Sequence, residues 1–219
     1  MPKRSLCITG FVLAGGRSRR MGIPKENLVL GGERMLDRQI RLLRSVSRSV
    51  AAIGAGANSG DSGNAKLAGV WVDAPLIGGV PVMSDVIPGR GPLGGIYSGL
   101  SWTRTEFNLF LACDLPFVNA RLLRYIVERA LAGGADVTIP ECREGEYQPL
   151  CAVYRRRARH AVRANLARGQ NKVTRFFPRV HCCVIPWSEV ARAGFPPRVF
   201  DNMNTPEEYD AAKQSIDSA

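Results

Sequence analysis

An α/β architecture with a mostly parallel sheet is written into this sequence by three features. Apolar runs of strand length alternate with amphipathic stretches of helical period along most of the chain. Several runs stop abruptly at glycine, proline or aspartate, as strands do where they feed a crossover. No internal repeat and no long linker interrupts the 219 residues, so residues 1–219 are expected to form a single domain around one core.

Residues 7–13, Cys-Ile-Thr-Gly-Phe-Val-Leu, are the first expected strand, followed by a glycine-rich basic loop. Leu36, Ile40, Leu43 and Val46 recur at spacings of three and four, which predicts a helix over 35–46 with Arg38, Arg41 and Arg44 off its stripe. Residues 50–53 are a short strand, and residues 54–65, rich in glycine, serine and asparagine, predict a flexible loop. Val80–Met83 is another short strand, leading to Ser84, Asp85 and a Gly/Pro loop that starts a helix over 93–102. Phe107–Ala112 is a strongly apolar strand that ends at Cys113-Asp114-Leu115-Pro116. Leu122, Leu123, Ile126, Val127 and Leu131 predict an amphipathic helix over 120–131. Residues 137–139 and 150–154 are strands, and 155–168 a basic helix. A last helix over 205–216 has Thr205 as N-cap, Pro206 at N1 and Glu208 at N3.

Composition removes several functional classes. No apolar run reaches the ~18 residues that a membrane helix needs, and the basic N-terminus lacks the apolar stretch of a secretion signal. Six cysteines include no C-x-x-C pair and there are only two histidines, so a zinc site is poorly supported. Reduced thiols and a cytoplasmic location are the expectation. The glycines at 54, 56 and 60 do not fit a dinucleotide fingerprint, and no P-loop motif is present. A net charge of +11 and a pI near 9.9 favour an anionic partner without choosing among nucleic acid, nucleotides and phosphorylated metabolites.

Five places in the chain could carry chemistry. Residues 13–25 follow a strand, where α/β proteins collect ligands. There Gly15 and Gly16 let backbone N–H groups approach a phosphate, and Arg17, Arg19, Arg20 and Lys25 supply positive charge without an intervening acid. Asp114, at the end of an apolar strand, is suited to hold Mg²⁺ on a triphosphate; the lesser alternative is a cap on the turn before Pro116. Asp85 could bind metal or accept hydrogen bonds from base or ribose, and the Gly91 loop could admit a ligand or simply turn the chain. Asn202 and Asn204 alternate, so an extended segment would turn both to one side, where they could reach an acceptor. Arg155, Arg156, Arg157, Arg159, Arg163, Arg168, Lys172 and Arg175 form a basic stretch that could dock an anionic acceptor or a partner, or be a solvated face.

In these blocks the chain resembles the molybdenum cofactor guanylyltransferase family. Leu13-Ala-Gly-Gly-x-Ser-x-Arg-Met-Gly-x-x-Lys25, Arg90-Gly-Pro-Leu-x-Gly-Ile96, Asp114-x-Pro-Phe117, Gln148-Pro-Leu150 and Asn202-x-Asn-Thr-Pro-Glu207 match that family's blocks in order. The resemblance implies a three-layer Rossmann-like nucleotidyltransferase fold and transfer of GMP from GTP to Mo-molybdopterin with release of pyrophosphate. It implies GTP contacts from Leu13, Ala14, Gly15, Lys25 and Asp85, and both GTP and Mg²⁺ on Asp114; Gly16, Gly91, Asn202 and Asn204 are further candidate binding residues from the reading of the blocks. Lys25, Asp114 and Arg19 would then be the catalytic groups. Segment 54–80 carries no family block. Related cytidylyltransferases of the same cofactor share the opening signature but tend to end in Asp-x-Asp-Thr-Pro, so Asn202-x-Asn204 favours guanine. Other acceptors, a sugar or isoprenoid phosphate, stay open, as does a protein that delivers or takes the cofactor. A basic module binding nucleic acid or a carrier is the reading from another class. Against it, aromatics make up 7% and do not interleave with the basic residues.

Overall fold

The computed structural model describes residues 8–14, 25–54, 62–67 and 70–218. At the centre of its sheet lies β1 (Ile8–Leu13), hydrogen-bonded in parallel to β4 (Ser49–Ile53) on one side and β8 (Phe107–Ala112) on the other. β7 (Val80–Met83) continues the parallel set beyond β4. These strands are buried on both faces, and their side chains alternate between two cores. Ile8, Val12, Leu109 and Leu111 face one core; Phe11 and Phe110 face the other, stacked 5.0 Å apart.

Helices cover both faces. α1 (Met35–Arg44), α3 (Ala120–Gly133) and α5 (Trp187–Arg192) pack on the first core, and α2 (Gly91–Trp102) and α4 (Arg159–Ala167) on the second. This is the expected three-layer α/β class. α2 lies unusually close to the sheet: a Cβ at Gly99 would stand 2.7 Å from the Phe110 ring. The expected helix starts hold. Thr205 accepts from Glu208 N and Glu208 reaches back to the Thr205 N–H, a reciprocal cap that opens α6 (Pro206–Asp217). Asn119 caps α3 through Leu122 N.

The parallel arrangement is confined to the middle. β11 (Cys151–Arg155) runs antiparallel between β8 and β9 (Val137–Arg143), and β10 (Glu146–Tyr147) hairpins back on β9. β12 (Cys182–Ile185), a run the sequence patterning passes over, adds a parallel pairing to β9. The expected loop over 54–65 is corrected in part. Ser62–Leu67 forms β5, antiparallel to β6 (Val70–Ile77), which pairs in turn with β7. Residues 55–61 lie outside the described residues. The SGNAKL composition of β5 has little strand preference of its own; its pairing with the Val- and Trp-containing β6 ladder decides.

Two short strands, β2 (Val29–Leu30) and β3 (Glu33–Arg34), form a separate hairpin. A third apolar cluster of Leu28, Leu30, Met35, Met203 and Ala212 clamps α6 to that hairpin, and Tyr209 Oη donates to Val29 O at 2.8 Å. Cys142, Cys151, Cys182 and Cys183 are free thiols; Cys151 is fully buried, which pushes its thiol up to about 12 and leaves it an inert core residue.

Candidate active site

The carboxyl ends of the four central parallel strands form one edge, and the backbone ties them together just past their ends. Ala14 N donates to Ile53 O, Cys113 N to Leu13 O, and Gly54 N to Met83 O. Leu13 and Ala14 leave β1 here, Asp85 lies two residues beyond β7, and Asp114 two residues beyond β8. Four of the expected site residues therefore meet at a single edge because the strands that carry them are parallel.

Lys25 joins this edge from a different segment. It opens a one-turn helix, Lys25–Asn27, and its Nζ donates to Asp114 Oδ2 at 3.0 Å and to Asn204 Oδ1 at 2.6 Å. These contacts span 89 and 179 residues of sequence. Asn204 is aimed by its neighbour. Met203 is fully buried in the third apolar cluster and its N–H donates to Asp114 O at 2.8 Å. In an extended segment this turns Asn202 and Asn204 to the opposite side, as the alternation predicts, and both line an open cleft of about 660 Å³. The loop carrying Asp114 is held from below as well: the buried Gln39 donates from Nε2 to Leu115 O at 2.9 Å.

Asp85 sits against the start of α2. Ser98 Oγ lies 3.4 Å from Asp85 Oδ1 and accepts from Val86 N at 2.9 Å. Burial raises the Asp85 carboxyl above its usual range, and the Ser98 hydroxyl opposes that shift. Gly91 begins α2 with φ near 60°, a conformation that glycine favours, and no atom lies close to where a Cβ would stand. No side chain caps that helix start.

Gly15, Gly16 and Arg19, with Arg17 and Arg20, lie outside the described residues. The basic stretch divides. Arg155 pairs with Glu106 and lies over Phe107, and Arg157 pairs with Asp136, so these two bind the chain to itself. Arg163, Arg168, Lys172 and Arg175 face solvent. Gln39 and Ser98 are positioning residues that the motif reading passes over. Gln39 did leave a signal, because a polar residue beside Leu36, Ile40 and Leu43 on an apolar stripe needs a buried partner.

Comparison with known proteins finds relatives over most of the chain. Residues 10–182 match the MobA-like NTP transferase domain. The chain is 34% identical to a protein of Pelotomaculum thermopropionicum named probable molybdenum cofactor guanylyltransferase, over 94% of this chain and 91% of that one. It is 31% identical to the molybdenum cofactor guanylyltransferase of Desulfosudis oleivorans, over 95% and 96%. The fold is similar to the crystal structure of molybdopterin-guanine dinucleotide biosynthesis protein A from Archaeoglobus fulgidus, with a TM-score of 0.77 at 19% identity, covering 96% of this chain and all of the other.

Proposed function

Because the chain belongs to the MobA-like NTP transferase family and to the molybdenum cofactor guanylyltransferases, we propose that it transfers GMP from GTP to Mo-molybdopterin, releasing pyrophosphate. The observation that carries this reading is the Lys25–Asp114–Asn204 cluster at the carboxyl edge of the parallel strands. It unites three separate sequence blocks where an α/β sheet binds nucleotides. We assign the reaction to the cytoplasm and the whole chain to one nucleotidyltransferase domain.

The triphosphate lies between the loop after β1 and the start of α2. Lys25 pairs with phosphate oxygens as a point charge, and the start of α2, which no side chain caps, offers backbone N–H donors to an anion or polar edge. Leu13 and Ala14, at the end of β1, contact the nucleotide, and Gly15, Gly16 and Arg19 are assigned to the triphosphate from the sequence block they belong to. Asp85 accepts hydrogen bonds from the nucleoside.

Asp114 fits Mg²⁺. Its Oδ2 already faces a cation, the Lys25 ammonium, at 3.0 Å. Among the described residues no cluster of three His, Cys, Asp or Glu side chains could enclose a metal. One carboxylate with substrate oxygens completing the shell is the usual Mg²⁺ arrangement. When bound, the ion supplies charge neutralisation on the phosphates.

An oxygen of the acceptor's phosphate forms the new bond to the α-phosphorus of GTP, and the bond to the bridging oxygen of pyrophosphate breaks. A phosphate monoester with its second pKa near ~6 is mostly dianionic at neutral pH, so no general base is required. The chain's contribution is alignment and fixed charge: Asn204 steadies Lys25, and Lys25 offsets negative charge on the leaving group.

A thermal-shift panel of GTP, CTP, UTP, ATP and dTTP, with and without Mg²⁺, tests the reading. Selective Mg²⁺-dependent stabilisation by GTP is expected. Preference for CTP would move the protein to the cytidylyl branch, and no response to any triphosphate would overturn the assignment.

A further inference from the structure

The cleft that opens beside Asn204 is far larger than a phosphate needs. Its 660 Å³ runs from the Asn202–Asn204 segment across to the β9–β10 turn, between Phe117 and α6. Its lining includes two cationic side chains, Arg143 and Arg198. They differ in how they are held. Arg143 is exposed on the hairpin turn. Arg198 is exposed too but has two partners: its guanidinium carbon stands 3.8 Å from the centroid of the Phe117 ring, and its Nη2 donates to Ser215 Oγ at 2.5 Å.

A guanidinium has five N–H donors in a rigid plane. Ser215 accepts from one nitrogen; among the described residues the remaining Arg198 donors meet no protein acceptor, and no carboxylate pairs with it. With Phe117 against the guanidinium and Ser215 on one nitrogen, Arg198 is part of the cleft wall. Three acids also line the cleft, Glu146, Asp201 and Glu208; none forms an ion pair with Arg198 among the described residues, and Glu208 is turned to the N–H groups of Asn204 and Thr205. Phe117 lies three residues beyond Asp114 on the same turn, so the stacked arginine is anchored to the loop that carries the expected metal ligand.

Resting on the guanylyltransferase reading and extending it to the acceptor, we infer that Arg198 is an acceptor-binding residue. Its guanidinium plane stacks on the planar ring system, and its remaining N–H donors bond the anionic oxygens, of a phosphorylated heterocyclic acceptor. Phe117 and Ser215 act as positioning residues that hold the guanidinium ready, which saves the ordering of a long side chain on binding. No such role attaches to GTP, which lies on the β1 side of Asp114.

The test separates acceptor binding from nucleotide binding and from stability. Fluorescence titration of Mo-molybdopterin with the full chain, without GTP, is run on wild type, Arg198→Ala, Arg198→Lys, Phe117→Leu and Ser215→Ala. Arg198→Ala is expected to weaken acceptor binding at least tenfold and to raise KM for the acceptor with kcat little changed. Its GTP-induced thermal shift should match wild type. Arg198→Lys keeps the charge but not the plane and should recover only part of the loss; Phe117→Leu should fall between. If Arg198→Ala binds the acceptor as wild type does, or if it lowers only melting temperature, as Ser215→Ala then would too, the assignment of Arg198 is wrong while the enzyme reading stands. If wild type responds to GTP but does not bind Mo-molybdopterin, the acceptor reading and the role of Arg198 fall together.

Discussion

Lys25 is the side chain on which the candidate site turns, since its ammonium reaches two segments that the sequence keeps far apart. Asp114→Ala is expected to abolish GMP transfer while circular dichroism stays native, because a single part-exposed ion pair contributes little to stability. Full turnover in that variant would remove Asp114 from the chemistry. Lys25→Ala should lower kcat/KM by more than tenfold, about 1.4 kcal/mol of transition-state stabilisation; a smaller loss would argue against direct phosphate contact. Asp85 adds a pH signature. Its carboxyl is raised by burial, so its contribution to stability is present below about pH 4 and is lost as pH rises through the higher folded-state value. Asp85→Asn should therefore gain melting temperature over wild type at pH 7 and lose that advantage toward pH 4, while its stabilisation by nucleotide drops. Equal pH profiles for the two proteins would contradict the burial argument.

Among the elements, α6 and α2 set the geometry of the candidate site. The reciprocal cap of Thr205 and Glu208 fixes where α6 starts, and the two asparagines lie immediately before it. Thr205→Ala should cost about 1 kcal/mol in urea unfolding. It should also reduce turnover if the start of α6 aims Asn204. Gly99→Ala tests the seat of α2, since the added methyl would collide with Phe110. Overpacking of this kind costs about 1–3 kcal/mol. Unchanged stability would mean that α2 slides freely on the sheet, which its burial along Leu93, Ile96 and Leu100 argues against.

For the molecule, three layers create a ligand edge and a positive field works at long range. The charge of +11 favours capture of a nucleotide triphosphate, and its effect is screened over about 10 Å at 0.1 M salt. A ligand that binds only the folded chain stabilises it by about 2.7 kcal/mol at a hundredfold excess over Kd, enough for the GTP panel to register clearly. The solvated arginines of the α4 face serve this field, whereas Arg155 and Arg157 are spent on Glu106 and Asp136.

The sequence by itself determined the layered α/β class, most strand and helix positions and the caps of α6, and it singled out Lys25 and Asp114 as candidates. It could do so because side-chain period, cap residues and block order are local properties of the chain. β5 was hidden because its residues have weak strand preference and are ordered by a ladder partner. β12 was hidden because its four residues are too short a run to signal a strand alone. The antiparallel flanks likewise follow from pairings that no single segment encodes. Which side chains meet was settled only in three dimensions. Lys25 reaches Asn204 across 179 residues because Met203 is buried under α6, Gln39 finds Leu115 because α1 packs beneath the loop, and Arg198 gains two partners because Phe117 and Ser215 converge on it. Such contacts depend on tertiary packing, which brings distant residues within hydrogen-bond reach and leaves no trace in their spacing along the chain.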